Sequence, residues 1–284
     1  MAEVAERNND SCQEYKELWN RLGIFVINLD QATERIERIT RDFSIAGIPI
    51  TRVAAIHGKR VDEHDFNELS VSLCKWRLRF HLRRDITPNE VGCYLSHIKA
   101  LKIFLASQKE YALICEDDVS PGYEAKAVLN ELLTLSDCWD LIRLFHYSHQ
   151  TVPFQTLKGG YQLSTAIQGM TSAACYLINR KGAETFLAKT RKIQWLFDTA
   201  LCQGWIGIRE MVIVPPLFPI NENSLTSTIE YKNRKKYSRC LIPIRQTCKL
   251  ILHLRRYGIQ LFRILRLQLF YREKSKKKRS FFDS

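Results

Sequence analysis

Apolar and polar positions along this chain follow two periods in turn. Gly23-Ile24-Phe25-Val26-Ile27-Asn28-Leu29 is a continuous, β-branched apolar run, the mark of a strand buried on both faces. Across residues 33–46, Ile36, Ile39, Phe43 and Ala46 recur at helical spacing, and Gly47 followed by Pro49 supplies the stop. Residues 50–56 predict a second strand ending at His57-Gly58, so the chain opens β-α-β, the unit of a parallel sheet. Thr87-Pro88-Asn89-Glu90 places a Thr at an N-cap, a proline at the first helical position and a glutamate three residues after the cap. The helix that begins there carries the stripe Val91, Leu95, Ile98, Leu101 and Leu105. It leads into Tyr111-Ala112-Leu113-Ile114-Cys115, a buried strand closed by Glu116-Asp117-Asp118. Residues 139–146, 172–179 and 211–214 read as further strands and 180–189 as a helix. Residues 62–85 are weakly patterned and charged, which predicts a loop or small helical insert near the site.

The tail has its own pattern. Laid on a helix, Leu250, Leu254, Tyr257, Leu261 and Leu265 form one stripe, while Lys249, Arg255, Arg256, Arg263 and Arg266 gather opposite. Charge counting strengthens the division. The 284 residues carry a net +13, but residues 231–284 hold 17 Lys+Arg against 2 Asp+Glu, leaving 26 against 28 in residues 1–230. The body is nearly neutral and the tail strongly basic. With Lys276-Lys277-Lys278-Arg279 added, this predicts a reversible attachment to an anionic membrane surface. A core-packed helix and a nucleic-acid arm are the other readings of the same charge.

An apolar fraction of 45% with 11% aromatics excludes a largely disordered chain. The nine cysteines are scattered singly, without a CxxC pair, which predicts a reduced, cytosol-facing protein without a structural zinc site. The polar, acidic first residues do not read as a signal peptide, and the longest uncharged stretch, residues 159–179, is too polar to span a bilayer.

Three consecutive carboxylates directly after a buried strand stand where open α/β sheets bind ligands. They read either as a solvated acidic turn or as hard oxygen ligands for Mg²⁺ or Mn²⁺, which would in turn hold a diphosphate. Asn28-Leu29-Asp30 ends the first strand similarly, with Arg35 and Arg38 following as anion partners or as surface arginines beside a capping Asp30. Cys93 and His97 share a helix face at i and i+4, but no further Cys or His completes a metal set, so a packed thiol and a hydrogen-bonded imidazole is the better reading. Glu90 reads as a capping residue. Asp198, after Trp195-Leu196-Phe197, is either a general base or an N-cap.

The joint order of these segments resembles glycosyltransferase family 25, which includes bacterial lipooligosaccharide galactosyltransferases and collagen-modifying relatives. The matching residues are Phe25 to Asp30 with Arg35 and Arg38; Gly47-Ile48-Pro49 leading to Ala55-Ile56-His57-Gly58; and Glu90, Gly92, Cys93, Ser96 and His97. They continue through Glu116-Asp117-Asp118 to Ala174-Cys175-Tyr176-Leu177-Ile178 and Arg180-Lys181-Gly182-Ala183. The resemblance implies an α/β, Rossmann-like A-type nucleotide-sugar transferase fold with a mostly parallel central sheet in residues 23–230, between a polar leader and the basic tail. It implies a metal-dependent, inverting transfer of a hexose, galactose foremost, from a UDP-sugar to a glycan. By position, Asp118 with Asp117 or Glu116 would hold the Mn²⁺ or Mg²⁺, and Asn28, Asp30 and Arg35 would lie near the nucleotide. The pattern usually has an arginine soon after the strand-end aspartate, where this chain has Gln31-Ala32. Inversion needs a carboxylate to take the acceptor's proton, and Asp198 is the expected base. The expected acceptor is a lipid-linked oligosaccharide at the inner face of a bacterial membrane, with no nucleic-acid partner. A non-catalytic protein that binds nucleic acid or an anionic surface through its tail is the alternative.

Overall fold

The computed structural model describes residues 19–82, 84–147, 150–167, 171–201 and 207–221, together with Glu17 and scattered positions between 247 and 266. In chain order the elements are β1 (Leu22–Asn28), α1 (Thr33–Ile45), β2 (Thr51–Ala54), α2 (Glu63–Glu68), β3 (Ser72–Leu73), α3 (Lys75–Leu82) and α4 (Pro88–Ala106). They continue with β4 (Tyr111–Glu116), α5 (Ala125–Thr134), β5 (Leu141–Arg143), β6 (Thr151–Thr156), β7 (Gln162–Ala166), β8 (Cys175–Asn179), α6 (Arg180–Lys189), β9 (Lys192–Ile193), α7 (Phe197–Leu201) and β10 (Glu210–Val214).

Eight strands form one sheet in the order β2-β1-β4-β8-β5-β10-β7-β6, and β3 pairs with β9 in a separate ribbon. β1 is parallel to both β2 and β4, and β10 is parallel to β5. β8 runs antiparallel between β4 and β5, and β7 antiparallel between β10 and β6. Apart from β7 and β8, all strands of the sheet point the same way, so β1, β2, β4, β5 and β10 present their carboxyl ends along one edge. The α/β architecture expected from the alternation is present. The β6–β7 hairpin, α5 and the β3–β9 ribbon add to it, and the 62–85 segment is an insert with the helices α2 and α3.

The core lies on both faces of the sheet because successive strand residues point opposite ways. Leu22, Ile24 and Val26 of β1 and Tyr111, Leu113 and Cys115 of β4 pack with Ile39 and Phe43 of α1 and with α5. Phe25 and Ile27, with Ala112 and Ile114, pack on the other face against α4 and α6. The capping box of α4 is formed: Thr87 Oγ1 accepts from the Glu90 amide at 3.2 Å, and the Glu90 carboxylate accepts from the Thr87 amide at 2.9 Å. Glu90 also makes a buried two-pronged pair with Arg84, so it does more than cap. The start of α4 sits directly on the loop after β2. A Cβ on Gly92 would stand 2.5 Å from the Ile56 carbonyl oxygen, and Ser96 Oγ accepts from the Ile56 amide at 2.8 Å.

Among the described residues no helix is long and apolar enough to cross a membrane. The described positions between 247 and 266 are helical, and most of their apolar side chains are exposed, Leu250 at 59%, Leu254 at 62% and Leu261 at 59%. These leucines are not packed on the body.

Candidate active site

The ends of β1 and β4 lie side by side, with Ile27 opposite Glu116. From β1 the chain first adds β2 on one side and then β4 on the other, so the strand order reverses between β1 and β4, the place where open α/β sheets form their ligand crevice. The acidic triplet closes β4 at that crevice, and strand alternation divides it. Glu116 continues the face of Ala112 and Ile114 towards α4, whereas Asp117 turns to the α1 side with Tyr111, Leu113 and Cys115.

On the α1 side, Asp117 is buried and held from three directions. Its Oδ2 accepts from Asn28 Nδ2 at 2.6 Å, its Oδ1 lies 3.0 Å from Arg35 Nη1, and its carbonyl accepts from Arg38 Nη2 at 2.7 Å. Burial raises the Asp117 carboxyl above its ordinary value, against the hydrogen bond from Asn28 and the charge of Arg35. Asn28 is itself buried, accepting from Arg52 Nε at 2.9 Å and donating to the Ala32 carbonyl at 3.0 Å, so it ties β1, β2, the α1 turn and Asp117 together. Asp30 stands outside this knot, largely exposed and paired with Arg52, whose hydrogen bond and charge hold its carboxyl below the usual range.

On the α4 side, Glu116 Oε1 lies 3.2 Å from His97 Nε2 and accepts from the Cys93 thiol at 3.8 Å. Burial alone would raise this carboxyl, but the hydrogen bond and charge of His97, followed by Cys93 and Arg35, hold it low. His97 is locked in place. Its Nδ1 is 3.3 Å from Tyr176 Oη, and its ring stacks on Phe197 with centroids 4.2 Å apart and planes 10° apart.

Asp118 sits between the two sides. Burial, then the charges of Glu116 and Asp117, push its carboxyl up to about 7. The crevice therefore concentrates more negative charge than its own cations offset. A divalent cation reverses that imbalance, and carboxylate oxygens are its natural ligands. The donor set fits such an ion.

Asp198, the second residue of α7, reaches the same rim. Its Oδ1 accepts from the Thr199 amide at 2.6 Å and its Oδ2 from the Ser172 amide at 3.3 Å. Its charge and that of Glu116 both raise the Cys93 thiol, after burial. Fully buried Arg143 at the end of β5 fastens the arrangement by donating to the carbonyls of Ser172 and of Asp198, the latter at 2.8 Å, and to Glu210 Oε1 at 2.6 Å.

Asn28, Arg35, Glu116, Asp117, Asp118 and Asp198 are thus brought to one edge, with Asp30 at its outer margin. Sequence reasoning overlooked that Cys93 and His97 face Glu116, and that Tyr176, Phe197 and Arg143 support them. The i, i+4 spacing of Cys93 and His97 was visible, but their carboxylate partner is on the next strand.

A protein-family model described as "Glycosyltransferase family 25 (LPS biosynthesis protein)" matches residues 21–201, the span that holds every site residue named above except Glu210. The chain belongs to glycosyltransferase family 25. Within this family it is 28% identical over 169 residues to a glycosyltransferase 25 family member of Anopheles gambiae, covering 58% of this chain and 28% of that protein. It is 29% identical over 123 residues to procollagen galactosyltransferase 2 of Homo sapiens, covering 42% and 20%. A Drosophila melanogaster family member is 32% identical over 107 residues, covering 37% and 18%. The chain spans little more than a quarter of the length of the first of these relatives. All three are animal proteins, whereas the sequence reading expected a bacterial setting.

Proposed function

We propose that this family 25 chain transfers a hexose, galactose foremost, from a UDP-sugar to a glycan acceptor with inversion at the anomeric carbon. The observation that carries the reading is the Asp118 carboxyl at the β1–β4 crevice, pushed to about 7 by burial and then by its acidic neighbours Glu116 and Asp117. Asp118, with Asp117 beside it, would hold a Mn²⁺ or Mg²⁺ ion, which when bound neutralises charge developing on a departing diphosphate. Arg35, half-buried and already turned to Asp117, supplies a guanidinium on the nucleotide side, and Asn28 and Asp30 shape the floor and margin there. Asp198 takes the proton of the acceptor hydroxyl, held at a fixed angle by the Ser172 and Thr199 amides.

Galactose is supported by similarity to relatives such as procollagen galactosyltransferase 2, and a lipopolysaccharide-type acceptor by the family's description as LPS biosynthesis proteins. The exposed apolar stripe and basic residues of the tail support work at an anionic membrane surface. The test is release of UDP from a panel of UDP-sugars with and without Mn²⁺. Turnover of one donor, dependent on Mn²⁺, is expected. No turnover with any donor and acceptor, together with tight, salt-sensitive nucleic-acid binding, would overturn the reading.

A further inference from the structure

We propose that Cys93, His97 and Glu116 form a second cation site, selective for a borderline-soft divalent ion such as Zn²⁺, beside the hard-oxygen position at Asp118. One ligand atom from each lies within 4.8 Å of the other two. Two of the separations are known individually: His97 Nε2 to Glu116 Oε1 is 3.2 Å and Cys93 Sγ to Glu116 Oε1 is 3.8 Å. With zinc–sulfur bonds of about 2.3 Å and zinc–nitrogen or zinc–oxygen bonds of about 2.0–2.1 Å, ligand atoms of a tetrahedral zinc lie about 3.3–3.6 Å apart. Both edges from Glu116 Oε1 are within a few tenths of an ångström of that spacing, and the Cys93–His97 edge, at no more than 4.8 Å, is within reach of side-chain adjustment.

The surroundings fit as well. Helical i, i+4 spacing puts Cys93 and His97 on one face of α4, and β4 delivers the carboxylate from across the sheet edge. Tyr176 Oη, 3.3 Å from His97 Nδ1, is an outer partner placed to accept a hydrogen bond from Nδ1–H in the tautomer that leaves Nε2 to the metal. The Phe197 stack fixes the ring plane. Glu116 and Cys93 are only half-buried, so the ion has a route from the crevice, and the nearby Asp198 carboxylate adds attraction. Sulfur and imidazole nitrogen favour Zn²⁺ over Mg²⁺ or Ca²⁺, and three protein ligands leave a fourth position open to water or a ligand oxygen. On binding, the Cys93 thiol proton and any proton on His97 Nε2 pass to solvent. The inference does not depend on glycosyl transfer.

Cobalt(II) titration of the chelator-treated, reduced full chain tests it. The expected result is a thiolate-to-cobalt charge-transfer band that saturates at one equivalent, is displaced by Zn²⁺, disappears in Cys93→Ser and persists in Asp118→Asn. Glu116→Gln, which keeps the side chain's size, is expected to weaken cobalt binding at least about tenfold while keeping the band. No band, a band of equal strength in Cys93→Ser, loss of the band in Asp118→Asn, or undiminished affinity in Glu116→Gln would each overturn the assignment.

Discussion

Asp118→Asn should stabilise the metal-free protein at alkaline pH and do little near the ordinary pKa of an aspartate. In the unfolded chain this carboxyl ionises around the ordinary aspartate value of 3.8, whereas in the folded protein it ionises at about 7. Between those values the folded state holds a proton that the unfolded state has lost, so folding stability falls as pH rises and levels off above about 7. At about 1.4 kcal/mol per pH unit, the accumulated penalty has a ceiling of about 4 kcal/mol. Asparagine has no charge to bury and removes the penalty. Urea unfolding of wild type and Asp118→Asn at about pH 4 and about pH 8.5 reads the difference directly. The variant is expected to be more stable by up to about 4 kcal/mol at the higher pH and nearly equal at the lower. Mn²⁺ should stabilise the wild type at the higher pH and leave the variant almost unchanged. A variant less stable than wild type at both pH values, or a difference independent of pH, would refute the crowding of charge at this crevice.

Gly92→Ala gains helix propensity but puts a methyl 2.5 Å from the Ile56 carbonyl oxygen, and backbone cannot yield as a flexible side chain does; a loss of about 1–3 kcal/mol in urea unfolding is expected, and a gain would contradict the packing. Arg143→Met leaves the buried Glu210 carboxylate unpaired and should cost about 3–5 kcal/mol, with Arg143→Met/Glu210→Met recovering most of it in a double-mutant cycle. Thr87→Ala removes the α4 cap and should cost about 1 kcal/mol in the same assay. Deleting residues 237–284 should release the protein from anionic vesicles in a sedimentation assay without loss of UDP binding; loss of folding would mean that Leu250, Leu254 and Leu261 pack on the body after all.

The elements with a strong local period were legible in the sequence: β1, α1, α4 and β4 lie within a residue or two of their predicted bounds, because burial on both faces or a formed capping box leaves few alternatives. The β6–β7 hairpin was missed because β6 is a half-exposed edge strand and β7, though mostly buried, carries Gln162, Ser164 and Thr165 among its five residues and so lacks an apolar run. Gly92 and Ser96 belonged to the recognised pattern, but their reason, backbone contact with the β2 loop, needs the third dimension. The acidic triplet was legible as one unit. Its division was not, since that depends on which face of β4 each side chain leaves from: Asp117 to Asn28 and Arg35, Glu116 to His97 and Cys93. Asp198 was singled out from its place after an apolar run, whereas its link to the rim runs through Arg143 and Ser172, which are far from it in sequence.

The most direct test of the central claim is transfer, or UDP release, from UDP-galactose in the presence of Mn²⁺ by wild type, Asp118→Asn and Asp198→Asn, each first shown to be folded. The account predicts Mn²⁺-dependent activity in the wild type, its loss in Asp118→Asn even at saturating Mn²⁺, and in Asp198→Asn a fall in turnover of at least about a hundredfold with UDP-galactose still bound. Wild-type activity that persists in Asp118→Asn, or that is indifferent to Mn²⁺, would contradict it.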